Sequence, residues 1–253
     1  MTLLSDKVIV LSGVGPGLGR ALLGADLVLV SRTEPRLRKM AEVVESYGRR
    51  ALVVPTDIND ETQRAALVEA ALAEFGRVDA LINNAFAIPP MAPITTIAPA
   101  KLAAANETNV FAPLRLSALF ADALAASSGS ILNINSAVLY HSDPTYAGYK
   151  LSKGTLAHLS SSLATELGPR GIRVNQVAPS YIYEDVNKAY FDWLATESGR
   201  THQDVYEEKA APTDLKRLAT PDEVAAAALF LVSDLASAVT GQTLNVDCGE
   251  FHS

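Results

Sequence analysis

The 253-residue chain has a single cysteine, Cys248, so no disulfide can form within it. A lone thiol is compatible with a reducing compartment. Positive charge is also in short supply: 21 lysines and arginines stand against 28 aspartates and glutamates, a net charge of −7. That balance gives nucleic acid or an anionic membrane no electrostatic footing. The four histidines, His141, His158, His202 and His252, have no metal-ligand spacing to one another or to Cys248, so no metal site is expected. Long apolar runs are missing as well. The helical segments carry charges or small polar residues, and none reads as a membrane span of about 20 apolar residues. Lys7 and Val8 start the first strand, which leaves no space for a signal peptide's apolar segment. The expectation is a soluble, cytoplasmic protein with neither membrane nor nucleic acid as a partner.

Apolar residues make up 49% of the chain, enough for one well-buried domain spanning residues 1–253. Strand candidates recur at 8–11, 27–30, 51–54, 80–83, 130–135, 172–177 and 243–246. Most are apolar on consecutive positions, as parallel strands covered on both faces should be. Helical segments fall near 35–47, 60–75, 99–127, 146–168 and 221–233. Thr220-Pro221-Asp222-Glu223 reads as a capping box with proline in the first turn. This alternation predicts a doubly wound α/β fold with a parallel sheet and ligands at the strands' carboxyl ends. Residues 184–217 break the pattern with mixed charge, Tyr190, Phe191 and the only tryptophan, Trp193. They read as a substrate lid or interaction arm, or as a helical excursion packed on its own domain.

After the first strand comes Ser12-Gly13-Val14-Gly15-Pro16-Gly17-Leu18-Gly19. Glycines there let backbone approach a pyrophosphate, with the next helix aiming its amides at the charge. A turn of purely structural role is the other reading. The Gly-Lys-Ser/Thr ending of a nucleoside-triphosphate loop is missing, which disfavours kinase or ATPase chemistry. The second strand ends Val30-Ser31-Arg32. An acidic residue at that point accepts from an adenine-ribose hydroxyl, whereas a basic one suits a 2′-phosphate. Ser31 and Arg32 therefore favour NADP(H) over NAD(H). The span from Lys7 to Ser31 is nevertheless only 25 residues, where a strand–helix–strand unit takes about 30. Its return can close only with short strands or with extended chain in place of helix.

Tyr149 and Lys153 are four residues apart, on one face of a helix. A fixed ammonium would favour the phenolate and bring the tyrosine pKa below its free value of about 10. Such a group can pass protons in carbonyl reduction or alcohol oxidation. Ser136 follows the strand 130–135, at the ligand edge of the sheet. Together with the glycine turn, these residues make a coherent site.

The chain resembles the short-chain dehydrogenase/reductase family along nearly its whole length. The matching pieces are the glycine turn, Asp57, Asn83-Asn84-Ala85, Asn109, Ser136, Tyr149 with Lys153, the stretch ending at Pro179, and the final 240–249. The resemblance implies a Rossmann-type, seven-stranded parallel sheet with helices on both faces. It implies Tyr149 as general acid/base, Ser136 as the carbonyl-orienting residue, and Lys153 as binder of the nicotinamide ribose. Asn109 would hold a relay water through its main-chain carbonyl. Gly13, Gly17, Leu18, Gly19, Asp57, Ile58, Asn84, Ala85, Pro179 and Ile182 would line the cofactor, with Ile182 meeting the carboxamide. A homotetramer or homodimer built on the long helices is also implied. Pro113, four residues after Asn109, has no N–H to give that carbonyl, so the helical ladder must break there. Several positions depart from the family. Phe86 replaces the glycine after Asn-Asn-Ala, Ser180 that after proline, and Cys248 that after Asp247; Glu184 stands where threonine is expected. The Cys248 change reads as mild. The reading is thus an oxidoreductase interconverting a carbonyl and a secondary alcohol, or a catalytically weak cofactor-binding sensor of the same fold.

Overall fold

β1 (Val8–Ser12) is buried at all five positions, and its side chains divide between two cores. Ile9 and Leu11 point into one apolar cluster, Val8 and Val10 into the other, because successive strand residues face opposite ways. The computed structural model describes residues 3–14, 24–141 and 143–252. Gly17, Leu18 and Gly19 lie outside the described residues, as does most of the short crossover expected at Arg20–Ala25.

β2 (Asp26–Ser31), β3 (Ala51–Pro55), β4 (Ala80–Asn83), β5 (Ser130–Ile134), β6 (Arg173–Pro179) and β7 (Thr243–Val246) complete a seven-stranded sheet in the order β3-β2-β1-β4-β5-β6-β7. Every pairing is parallel. Val8 pairs with Asp26 and Ser12 with Val30, so β2 runs alongside β1 over its full length. The strand order reverses between β1 and β4, which opens a crevice at their carboxyl ends.

Two helical layers cover the sheet. α1 (Glu34–Ser46) supplies Leu37, Met40 and Val44 to one core, where α8 (Pro221–Val232) adds Val224, Ala228 and Leu231. α2 (Glu61–Phe75), α4 (Ala112–Ala126) and α5 (Ala147–Leu167) supply Leu67, Phe120 and Leu163 to the other. The box at the start of α8 forms as the sequence predicts: Thr220 Oγ1 accepts from the Glu223 N–H, and Glu223 accepts from the Thr220 N–H.

The predicted helix 99–127 is in fact three pieces, α3 (Pro99–Asn106), a π turn (Glu107–Phe111) and α4. The Ala112 N–H reaches back five residues to the Glu107 carbonyl, widening the ladder around Asn109 just ahead of Pro113. Pro99–Ala126 is also long and apolar enough to cross a membrane by length and composition, contrary to the sequence reading. Half of its most apolar window is buried, with Leu116 and Phe120 in the core. Residues 184–217 hold α6 (Asp185–Ser198) and α7 (His202–Ala210), around a small core of Phe191, Ala195, Val205, Ala210 and Leu218.

Candidate active site

Gly13 is the hinge of the crevice. Its φ of +84° suits glycine, and a Cβ there would lie 2.3 Å from the Ala85 nitrogen. The glycine is required by close approach of the chain leaving β4 as well as by the turn itself. The Gly13 N–H donates to the Val30 carbonyl and the Asn84 N–H to the Ser12 carbonyl, each at 2.8 Å. The Asn84 side-chain amide donates to the Gly13 carbonyl. Main chain thus ties the ends of β1, β2 and β4 together.

Beyond this knot lies a cavity of about 410 Å³. Among its walls are Gly13, Ser31, Arg32, Asp57, Ile58, Asn84 and Ala85, all expected from the sequence. Thr33 and Arg36 join them and were missed. Arg36 lies in the first turn of α1, four residues after Arg32, and a second cation so soon after the strand end could have singled it out. Ser31 Oγ accepts from the Thr33 N–H at 3.3 Å, and Asp57 Oδ1 from the Asn59 N–H at 3.0 Å. Ser12 Oγ, also in the wall, is buried with no partner among the described residues. These groups fit the adenosine end of a dinucleotide: backbone polar groups, and two cations with no carboxylate at the end of β2.

A second cavity, of about 420 Å³, has Ser136 and Tyr149 in its wall. Ser136 caps the short 3₁₀ turn Ala137–Leu139, its Oγ accepting from the Val138 N–H at 3.2 Å, and it hydrogen-bonds the Tyr149 phenol. Phe86, Ile88, Met91, Val138, Val186 and Tyr190 give the cavity apolar sides. Tyr146 and Tyr181, 2.8 Å apart through their hydroxyls, and His141 and Ser180 give it a polar end.

Lys153 is buried one turn along α5 from Tyr149, with Nζ 5.9 Å from the centre of the phenol ring. Nζ donates to the Ile134 carbonyl at 2.7 Å and lies 4.9 Å from the centre of the Phe86 ring. The sequence reading had this ammonium lowering the tyrosine pKa. The net direction is the reverse in this chain. Burial pushes Tyr149 up, Tyr146 adds to the rise, and the hydrogen bond from Ser136 opposes it. Burial also pulls Lys153 down to about 7, so its charge is only partly present at neutral pH.

Asn109 is buried and holds the loop after β4: its Oδ1 accepts from the Ala87 N–H and its Nδ2 donates to the Ala87 carbonyl, each at 2.8 Å. Pro179 ends β6, outside both cavity walls. Ile182 is outside them too, and its carbonyl already accepts from the Glu184 N–H and Asn187 Nδ2, each at 2.8 Å. A carboxamide contact through that carbonyl would have to displace bonds the chain already makes. Burial, with Asp185 nearby, raises the Glu184 pKa. Cys248 takes a φ of 57°, in the left-handed region that a family glycine accepts freely.

The family described as Enoyl-(Acyl carrier protein) reductase matches residues 10–250. The chain belongs to the short-chain dehydrogenase/reductase family. An uncharacterized oxidoreductase of Methylorubrum extorquens is 34% identical over 257 residues, covering 98% of this chain and 99% of the relative. L-sorbose reductase from Gluconobacter frateurii, solved with NADPH and L-sorbose, superposes with a TM-score of 0.91 at 29% identity, covering 100% of both chains. A 7α-hydroxysteroid dehydrogenase solved with NADH and 7-oxo glycochenodeoxycholic acid gives 0.85 at 31%, covering 98% of this chain and 96% of that one. The protein is an NAD(P)-dependent oxidoreductase of this family. These two neighbours hold different nicotinamide cofactors, so the cofactor preference turns on this chain's own residues.

Proposed function

We propose that this short-chain dehydrogenase/reductase interconverts a carbonyl and a secondary alcohol, with NADP(H) preferred. The observation that carries the reaction is the meeting of Ser136 and Tyr149 in one cavity wall, with Lys153 one helical turn away and the cavity at the ends of β1, β2 and β4 adjoining through Phe86. The bound nicotinamide supplies or accepts the hydride. Ser136 donates a hydrogen bond to the substrate oxygen, and Tyr149 gives that oxygen its proton in reduction or takes it in oxidation. Lys153 holds the nicotinamide ribose, and the Asn109 carbonyl, released by Pro113, holds the water that refills the proton.

Arg32 and Arg36 support the NADP(H) preference, since both flank the end of β2 where a 2′-phosphate would lie. Replacing both with alanine is expected to lower the NADPH-over-NADH ratio of kcat/KM by roughly tenfold or more. An unchanged ratio would remove the inference.

The apolar sides of the second cavity favour a medium-sized apolar body on the substrate. Its polar end is backed by Glu250, which accepts from the Ser180 hydroxyl and lies 3.5 Å from His141 Nε2. With its proton committed to Glu250, Ser180 turns acceptor lone pairs toward the cavity, which suits a hydroxyl on the substrate better than a carboxylate. Helix α6, packed on α7, acts as the lid through Val186, Asn187 and Tyr190. A homo-oligomer would cover Phe111, Leu114, Leu119 and Leu151, which are exposed along the π turn, α4 and α5; light scattering of the purified chain measures this.

The deciding experiment is a panel of ketones and secondary alcohols followed by NADPH absorbance and repeated with NADH. Turnover with NADPH ahead of NADH is expected. Cofactor binding without turnover across the panel would favour the sensor reading.

A further inference from the structure

Phe86 occupies the position of the family glycine and, among the described residues, is the one that lines both cavities. Its ring meets Tyr149 edge-on, with centroids 5.2 Å apart and an interplanar angle of 61°. The Lys153 ammonium lies 4.9 Å from the same ring's centre. One side chain therefore covers both members of the proton-transfer pair, at the boundary between the cofactor cavity and the substrate cavity.

The backbone on either side of this ring is held fast. Asn84 is tied to Gly13, and both main-chain groups of Ala87 are taken by the Asn109 amide. Phe86 is absent from the non-glycine residues with positive φ, so its backbone stores no left-handed strain to release. Motion is left to the side chain, and the residue is 40% exposed, unlike a ring enclosed in a core. Rotation of an exposed ring about its first side-chain bond needs no repacking of the sheet.

We infer that Phe86 is an aromatic gate, closed over Lys153 and Tyr149, which must swing aside for the nicotinamide end of a dinucleotide to reach Lys153. This rests on the dinucleotide reading of the first cavity. A glycine here would leave the pair open at all times. With phenylalanine, opening becomes coupled to cofactor arrival. Before that arrival the ring shields the lysine and tyrosine from water, and partly offsets the burial of the ammonium through its π face. The cost of opening appears in cofactor affinity: if about a tenth of the molecules are open, the apparent Kd is about tenfold weaker than for the open form. Phe86 is thus a positioning residue, acting through the groups it covers.

The test uses NADPH fluorescence in stopped-flow and equilibrium titrations of the cofactor-free protein, with Phe86→Ala, Phe86→Leu and Phe86→Tyr. Because the ring turns far faster than NADPH binds, the wild-type association rate should rise linearly with NADPH, at about a tenth of the slope of the open form. In Phe86→Ala the slope should be up to about tenfold steeper, and NADPH should bind about tenfold more tightly. Phe86→Tyr should restore the shallow slope, because it keeps the ring. Phe86→Leu, a milder truncation should Phe86→Ala fail to fold, should fall between. Equal slopes and affinities in wild type and Phe86→Leu or Phe86→Ala would overturn the gate while leaving the cofactor reading intact. Weaker NADPH binding in both truncations would also overturn it, by making the ring part of the binding surface. A wild type that binds no NADPH would overturn the cofactor reading and the gate together.

Discussion

Gly13 and Asn84 in the wall of the first cavity are held by main-chain hydrogen bonds, whereas Phe86, Tyr146, Tyr181 and Tyr190 wall the second with rings. The first is set by strand register and by hydrogen bonds between the ends of β1, β2 and β4. The second is assembled from the loop after β4, the turn after β5, the start of α5 and the segment after β6. A backbone-built cavity tolerates almost no change in shape at its glycine but constrains side chains little. A ring-built cavity can alter its size one side chain at a time while the sheet stays as it is. The two meet at Phe86 and at the Tyr149/Lys153 pair, where chemistry and binding become separable by mutation.

The sharpest separation is Tyr149→Phe. The ring and its edge contact with Phe86 remain while the proton is lost, so kcat should fall by about 10²- to 10⁴-fold. The NADPH Kd should change little, because the hydroxyl lies in the wall of the other cavity. Steady-state kinetics beside an NADPH titration decide it. Turnover near the wild-type level would remove Tyr149 from its role.

Gly13→Ala attacks the other side. The added Cβ meets the Asn84–Ala85 peptide while φ sits at +84°, so strain and overlap act together. A loss of about 2 kcal/mol or more in folding stability is expected, with NADPH binding weakened further. Urea unfolding with and without NADPH measures both. If alanine is accepted with unchanged midpoint, the ends of β1 and β4 are not held as closely as the register requires.

How far the sequence foretold this division follows from the same contrast. The seven strands were legible because β-branched and aliphatic residues run consecutively where both faces are covered, as in Val8-Ile9-Val10-Leu11. Gly13, Ser31 and Arg32 were legible because they stand at the ends of strands, whereas Asp57 came only through the family resemblance. Tyr149 and Lys153 were legible from helical spacing joined to the glycine turn and to Ser136 at a strand end. The polar end of the second cavity was not, since His141, Ser180 and Glu250 are far apart in the chain and meet only through the tertiary fold. Pro113 announced a break in the long helix, but its form as a π turn depends on how Asn109 packs against Ala87. Phe86 stood out as a departure from the family, yet the placement of its ring over two functional groups carries no local signal. The direction of the Tyr149 shift was missed for a related reason. Spacing shows the neighbouring charge but not the burial that outweighs it.

Burial at this junction can be read through pH. The Lys153 pKa falls from 10.5 to about 7 in the folded chain. Between those values the unfolded chain binds the proton more tightly, so this group's contribution makes stability rise with pH across that window. Below about pH 7 the burial penalty is present in full. Lys153→Met should therefore be more stable than the wild type at pH 6, by about 2 kcal/mol after allowing for the lost hydrogen bond to Ile134. The advantage should shrink toward pH 10. Parallel melting curves at both pH values test the sign, and a difference independent of pH would mean that Lys153 is not desolvated in the folded chain.

The smallest expected effect lies outside both cavities, at Cys248. Its φ of 57° costs a residue with a Cβ roughly 1–2 kcal/mol, whereas glycine adopts it freely. Against that gain stand the extra backbone entropy of glycine in the unfolded chain and the lost packing of the thiol on the core formed by β1, β2, α1 and α8. Cys248→Gly should consequently gain only about 0.5 kcal/mol, a shift of a degree or two in Tm for a chain of this length. Cys248→Val, branched at Cβ, should lose about 1–2 kcal/mol at the same position. The difference between these two variants is the informative quantity, because both remove the thiol and only the backbone preference separates them. Equal melting temperatures would show that the turn relaxes out of the left-handed region at no cost, which would make the replacement of the family glycine as mild as the sequence suggested.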